Sequence, residues 1–353
     1  MPVARLLDLT RSLRRAGRVA TGVDRVEYAY LSHLLADDVA TFGLLRTAFG
    51  YVLLDKPGLM KFLNRLEGQT EWGPPDLLSR LPRWRSAVQK KAESDVRRFA
   101  VARCLRGKLT KTLSDTLPTE YVYYNVGHSN LTERVLTAIH ASGGKTAVMV
   151  HDVIPLEHPE FQREGTVEPF RDKLRRVSTY ADWVIYNSDD TKLRTERFML
   201  DWGRVPRSIV SHLGTIEPHV DAAQLPAGLP LDQPYFVVVG TIEPRKNHVL
   251  LLDLWAEMGP EAPPLFICGG RGWNNDAVFT RLDQITAKDN IYERAGLDDA
   301  ALAALVKGAA GMLFPSHAEG YGLPPLEALS LGTRVLCNDL QVLREVLGNK
   351  PVY

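Results

Sequence analysis

The chain is poor in cysteine: Cys104, Cys268 and Cys337 are its three among 353 residues. They are scattered without the close pairing of a metal-binding set, which argues against a disulfide framework or a cysteine-held metal. Cys268 and Cys337 lie in apolar runs and read as buried thiols of a reducing compartment. Long apolar runs are missing too. None approaches the roughly 20 residues of a membrane span, and Met1 to Thr10 lacks the apolar core of a signal peptide. A cytoplasmic protein is therefore expected. Charge of one sign is not in excess: the net charge is +1, so nothing pulls the chain as a whole towards nucleic acid. No Gly-x-Gly-x-x-Gly follows the first expected strand, which argues against a dinucleotide-dependent oxidoreductase.

What is present is a globular composition, 45% hydrophobic and 24% charged, in a chain long enough for two domains. Val3 to Leu9 reads as a strand. A basic loop with Arg11, Arg14, Arg15 and Arg18 leads to Thr21-Gly22, and a helix runs from Val23 to Leu35. Gly22 stands where a glycine lets the backbone approach a ligand. Residues 50–118 read as a basic, mostly helical insertion carrying Arg80, Arg83, Arg85, Lys90, Arg97 and Arg98. Such a stretch suits an anionic membrane surface, which would place the protein at the inner face of a membrane, or is a solvated helix face. Both readings stay open at this point.

Strands are expected at Tyr121 to Asn125, Lys145 to Val150, Trp183 to Tyr186 and Ser208 to Leu213. Asn125 and His128 fall at the exit of the first, and His151-Asp152 at the exit of the second. Those exits are where open α/β sheets bind ligands. Ser188 is placed to cap the helix that follows Tyr186. Residues 216–233, with Pro218, Pro226, Gly228 and Pro230, read as a linker. Domains over 1–215 and 234–353 follow, each alternating strand and helix.

The second domain opens with the strand Tyr235 to Gly240. Thr241, Arg245 and Lys246 come after it, with Asn247 expected to cap the helix His248 to Met258. A guanidinium and an ammonium beside a helix N-terminus suit phosphate oxygens. Later, the strand Gly311 to Phe314 leads into His317-Ala318-Glu319-Gly320-Tyr321-Gly322-Leu323-Pro324-Pro325-Leu326-Glu327, with Glu319 on the loop and Glu327 expected on the first helical turn. The N–H groups of this turn suit an anion, and its carboxylates can accept hydrogen bonds from sugar hydroxyls.

Glu319 to Glu327 around Gly-Tyr-Gly-Leu-Pro, together with Gly240 to Asn247, resembles the signature of retaining glycosyltransferases of the GT-B fold, family four (group 1). The resemblance implies an α/β GT-B protein, two Rossmann-like doubly wound domains facing a central cleft. It implies transfer of a sugar from a nucleoside-diphosphate sugar to a saccharide or lipid-linked acceptor, in surface polysaccharide or glycolipid synthesis. His151 and Glu319 would be the catalytic residues. Arg245, Lys246, Glu327, Gly240, Thr241, Gly320, Tyr321 and Gly322 would hold the donor. Gly22, Asp152, Asn125 and His128 would line the cleft. No Asp-x-Asp pair follows a strand in a donor-binding position, so neither a metal nor a cofactor is expected, and no nucleic-acid partner. Arg294-Ala295 stands where the resembled pattern has a Gly-aromatic pair. The chain stops at Tyr353, short of the closing helices the resemblance implies, which would loosen the cleft. Two other readings of the same fold are an inactive nucleotide-binding module and a sugar-nucleotide 2-epimerase.

Overall fold

The computed structural model describes residues 3–215 and 219–353, with Ala287 described by its backbone alone. Met1 of the expected N-terminus and Pro218 of the expected linker lie outside the described residues. The chain forms two compact units. One holds residues up to His151 with 172–186 and 196–211, and the other holds 152–171, 187–195 and the chain from His212 onwards. Two segments ahead of the expected linker thus pack with the C-terminal half.

The first unit is built on an eight-stranded sheet. Its strands are β1 (Ala4–Asp8), β2 (Ala40–Thr47), β3 (Gly50–Leu54), β4 (Ala102–Cys104), β5 (Tyr121–Asn125), β6 (Gly144–Val150), β7 (Trp183–Tyr186) and β8 (Arg207–Val210). Their order is β4-β3-β2-β1-β5-β6-β7-β8. From β2 to β8 neighbours run parallel, while β3 and β4 are antiparallel additions at one edge. The stretch expected as a helical insertion therefore also supplies two strands. Leu6, Leu7, Leu44, Leu45, Leu53 and Leu54 are fully buried, which is why these short runs form sheet although their flanks are basic. Four of the arginines between them form ion pairs: Arg65 and Arg98 with Asp95, Arg85 with Glu93, and Arg97 with Asp76 and Glu93. The expected basic loop after β1 is a short helix, Thr10–Arg15. A longer one, Gly22–Ala36, begins at Gly22 itself, capped by Thr21 and Asp24.

The second unit carries five parallel strands: β9 (Phe236–Val239), β10 (Leu265–Cys268), β11 (Ile291–Arg294), β12 (Gly311–Phe314) and β13 (Val335–Cys337), in the order β11-β10-β9-β12-β13. Side chains alternate across a strand, and the two cores follow that period. Val237, Phe266, Met312 and Phe314 face one apolar cluster with Leu305 and Leu343. Val238, Leu265 and Ile267 face the other with Leu251, Trp255 and Val278. Each such fully buried side chain contributes roughly 1.5–3 kcal/mol. A sheet covered on both faces can be entered by a ligand only at its strand ends.

Candidate functional site

In the C-terminal unit the strand order reverses at β9, whose neighbours are β10 and β12. The crevice outside the carboxyl ends of such strands is the ordinary ligand site of a doubly wound sheet. Two loops meet there. From β9 the chain passes through Gly240 and Thr241 into a single turn of 3-10 helix, Pro244–Lys246. From β12 it passes through Pro315 to Gly322 into the helix Leu323–Ser330.

The loops are joined by charge. Glu319, only 6% exposed, accepts a hydrogen bond from Lys246 Nζ at 2.6 Å and pairs with Arg245 Nη1 at 2.9 Å. Arg245 Nη2 lies 2.7 Å from Glu243 Oε1, and Nη1 also donates to the Ala318 carbonyl at 2.9 Å. The His317 N–H donates to the Arg245 carbonyl at 2.7 Å. Burial alone would raise the Glu319 carboxyl, but the charges of Arg245 and Lys246 outweigh it and hold the group at about 2. Burial pushes the Lys246 ammonium down, against the pull of Glu319. Burial raises Glu243, against the pull of the same two cations. Arg245 is held above its ordinary value: burial opposes this, and Glu319, Glu243 and Asp152 prevail. His248, just beyond, is pushed down to about 4 by burial and the Lys246 charge, and so is neutral.

Gly322 enters the helix at φ 96°, a left-handed conformation open to glycine, and a Cβ there would meet Leu343 at 2.5 Å. The helix therefore begins at Leu323, earlier than expected, which places Glu327 beyond its first turn. Asn247 also departs from expectation. It sits at φ 54° with no side-chain capping bond, and serves as the left-handed exit of the preceding 3-10 turn.

The Glu319–Gly322 loop is held from outside as well. Thr191 Oγ1 donates to the Gly320 carbonyl at 3.2 Å, and Arg194 Nη1 to the Glu319 carbonyl at 3.4 Å. Arg194 is fixed by Glu157, 2.8 Å from its Nε, and by Asp190 at 3.0 Å. Tyr321 is buried, and its hydroxyl donates to the Leu213 carbonyl at 2.8 Å. Ser188 caps the helix Asp189–Asp201 as expected, accepting from the Thr191 N–H at 3.0 Å. At the mouth of the crevice His317 stacks on Phe161, their centroids 5.8 Å apart. The Phe161 carbonyl in turn accepts from Trp273 Nε1 at 2.8 Å.

Of the expected site residues, the structure brings Arg245, Lys246 and Glu319 into contact and places Gly320, Tyr321 and Gly322 on the same loop. Gly240 and Thr241 stand on the facing loop, and Asp152 acts electrostatically on Arg245. A second set lies in the first unit. His151 is buried, with Nε2 2.6 Å from the Val126 carbonyl, and its ring centroid is 5.1 Å from that of His128. His128, at φ 54°, places Nε2 2.7 Å from the Met149 carbonyl. Burial, then the neighbouring His151 charge, keeps His128 well below the ordinary histidine value. Asn125 donates to Tyr123 and to the Ser129 carbonyl. Gly22 is the exposed first residue of its helix. Among the described residues no group of three or more His, Cys, Asp and Glu is arranged to hold a metal.

Sequence reading missed Glu243, Thr191 and Arg194. Glu243 carries a local signal, a carboxylate two residues before an arginine at a strand exit. Thr191 and Arg194 carry none, because each reaches its partner across more than 120 residues.

Residues 222–351 match the family described as Glycosyl transferases group 1. The chain is similar to the serotype-specific mannosyltransferase WbdA of Escherichia coli, 30% identical over 239 residues that make up 62% of this chain and 29% of that protein. It is also similar to the O-antigen chain mannosyltransferase B of Escherichia coli, 27% identical over 65% of this chain and 60% of that one. The chain thus spans less than two thirds of the length of these relatives. In fold it resembles Anabaena HepE, solved in complex with UDP-glucose, at 14% identity and a TM-score of 0.60 over 97% of this chain and 82% of the other. It likewise resembles the trehalose-6-phosphate synthase OtsA, at 14% identity and a TM-score of 0.57 over 99% and 88%. Two Rossmann-like units, the two strand-end motifs and the family match agree: the chain has the GT-B fold and carries, over residues 222–351, a group 1 glycosyltransferase domain.

Proposed function

We propose that the protein transfers a sugar, with retention at the anomeric carbon, from a nucleoside-diphosphate sugar to a saccharide or lipid-linked acceptor in the assembly of a surface polysaccharide. The observation that carries this reading is the convergence of Arg245, Lys246 and Glu319 at the reversal point of the C-terminal sheet. The mannosyltransferase names of the relatives favour mannose as the sugar.

In this reading the diphosphate lies against Arg245 and Lys246, with the N–H groups of Gly320 and Tyr321 completing its cradle. Both cations are already engaged by Glu319 and Glu243. A diphosphate would therefore share them, and the developing negative charge of the leaving group would strengthen that share in the transition state. Two protein cations so placed can meet the leaving charge without a divalent ion, so transfer is expected to persist in a chelator. Glu319 takes the sugar hydroxyls and Glu327 the ribose. His151 has its role on the resemblance alone. It is tested by His151→Ala, expected to lower turnover and leave nucleotide affinity unchanged.

The decisive experiment incubates the protein with GDP-mannose, UDP-glucose and an oligosaccharide acceptor, and reads product and anomeric configuration by NMR. A new glycoside of the donor's configuration supports the reading. An inverted product, an epimerised sugar nucleotide, or nucleotide binding without any turnover would each replace it.

Contact with a membrane surface is proposed on a separate observation. Leu77, Leu81 and Trp84 are 79%, 65% and 79% exposed, with the exposed Arg80 and Arg83 interleaved. Exposed apolar side chains among arginines that form no ion pair with any described residue suit an anionic bilayer. Sedimentation with anionic but not neutral vesicles, lost in Leu81→Asp/Trp84→Asp, is the expected result.

A further inference from the structure

The sheet of the first unit also reverses its order, at β1, between β2 and β5. Beside this point lies a cavity of about 610 Å³, lined by Arg46, Tyr51, Thr132, Glu133, Arg134 and Thr137. Arg46 is the penultimate residue of β2, and Thr132 caps the helix Glu133–Ala141 that follows β5.

The lining carries two cations against one acid, a net positive charge. Neither Arg46 nor Arg134 forms an ion pair with any described residue. Glu133, the acid in the lining, is turned to Tyr180, whose hydroxyl donates to its Oε1 at 2.7 Å. Both guanidinium charges bear on the same buried ring, Tyr51: burial raises its hydroxyl, and Arg46 and Arg134 pull it back. Arg46 also bears on Arg14, which is half-buried and forms no ion pair with any described residue. Burial pushes Arg14 down first, then repulsion from Arg46 and Arg85, with Asp8 and Glu93 offsetting only part. A half-buried arginine ordinarily has an acidic partner, because crowded like charges oppose one another's ionisation. Here Glu133, the acid among the lining residues, pairs with neither guanidinium, while the two planar forks line open space at the start of the helix Glu133–Ala141. That donor set matches the oxygens of a phosphate, which accepts bidentate bonds from arginine.

We propose that this cavity binds the phosphate or diphosphate ester of a phosphorylated ligand, and, resting on the glycosyl-transfer reading above, that this ligand is the acceptor. The acceptor is then either a soluble sugar phosphate or a lipid diphosphate-linked saccharide. The two share the group the cavity recognises.

Inorganic pyrophosphate titrated calorimetrically into the full chain tests the site. Arg46→Gln/Arg134→Gln is expected to weaken pyrophosphate binding about tenfold or more, as two charge-assisted bonds require. Its affinity for a nucleoside diphosphate should be unchanged. Equal pyrophosphate affinity in wild type and double variant would overturn the proposal. Arg134 is exposed, so Arg134→Glu alone provides a variant with an undisturbed core and is expected to weaken binding as well. If the pyrophosphate difference persists while no sugar nucleotide binds or reacts, the anion site stands and the transferase reading falls. Displacement of pyrophosphate by a hexose 1-phosphate identifies a soluble acceptor. Displacement by vesicles carrying a polyprenyl diphosphate sugar identifies a lipid one. Displacement by neither overturns the assignment to the acceptor.

Discussion

Each unit buries a glutamate, and the two are tuned in opposite directions. Glu319 in the C-terminal unit is 6% exposed and Glu27 in the other is fully buried. Glu319 meets an ammonium and a guanidinium, and is held at about 2. Among the described residues Glu27 accepts from the Ser12 N–H at 2.8 Å and the Ser12 hydroxyl at 2.5 Å, and its Oε2 has no hydrogen-bond partner. Burial drives it up to about 8, with the hydrogen bonds from Ser12 opposing and the charge of Asp8 adding. Gly127 is what lets the neighbouring loop pass so close, since a Cβ there would lie 1.9 Å from Oε2. One carboxyl is thus kept as an anion among cations, and the other as a neutral acid. Burial raises both carboxyls, and at Glu319 the charged partners outweigh it.

The sharpest way to break this contrast is at Lys246. Lys246→Ala is expected to lower transfer by about 100-fold or more. It also strips a partner from a buried carboxylate, a loss of about 3–5 kcal/mol in folding stability. Lys246→Ala/Glu319→Gln should regain part of that stability in urea unfolding and none of the transfer, which separates the structural loss from the chemical one. Should the single variant transfer at the wild-type rate, the cluster is not the donor site.

The pH dependence sharpens the comparison next. The Glu27 carboxyl is raised from its ordinary 4.5 to about 8. Between those values the unfolded chain has lost the proton and the folded chain keeps it, so stability falls as pH rises across the interval. Glu27→Gln should flatten this stretch of the Tm–pH curve, and a curve that is unaltered would contradict the assignment. Glu319 has the opposite sign. Its contribution is complete above its ordinary 4.5 and is lost as pH falls from there through about 2. In Glu319→Gln the acid limb should lose that component. Smaller effects are expected at the loop anchors. Arg194→Ala should raise the donor KM more than it changes kcat, because it frees a carbonyl of the binding loop. Tyr321→Phe should cost about 1 kcal/mol in unfolding measurements, one hydrogen bond to the Leu213 carbonyl.

Most strand positions were legible because a buried parallel strand is a short apolar run that owes little to distant residues. Phe236–Val239 and Gly311–Phe314 are of this kind. The errors fell where local pattern and tertiary demand disagree. Gly50–Leu54 and Ala102–Cys104 were hidden in a basic stretch because an edge strand needs a neighbour to form. Asn247 looked like a side-chain cap, but the 3-10 turn before it needed a left-handed exit. Glu327 moved past the first turn because Gly322 let the helix start early.

By itself the sequence determined the two alternating α/β halves, the two strand-end motifs and the chemistry those residue types can perform. Apolar period, glycine turns and charged loops are local properties that survive without the rest of the chain. The tertiary structure alone decided that Lys246 and Glu319, 73 positions apart, share a charge-assisted hydrogen bond, and that Thr191 and Arg194 fasten the loop. It also decided that Arg46 and Arg134 line a common cavity, neither forming an ion pair with any described residue. The physical reason is that Coulomb energy and desolvation depend on distance in space and on exclusion of water, and both are fixed only when the sheets have closed their faces.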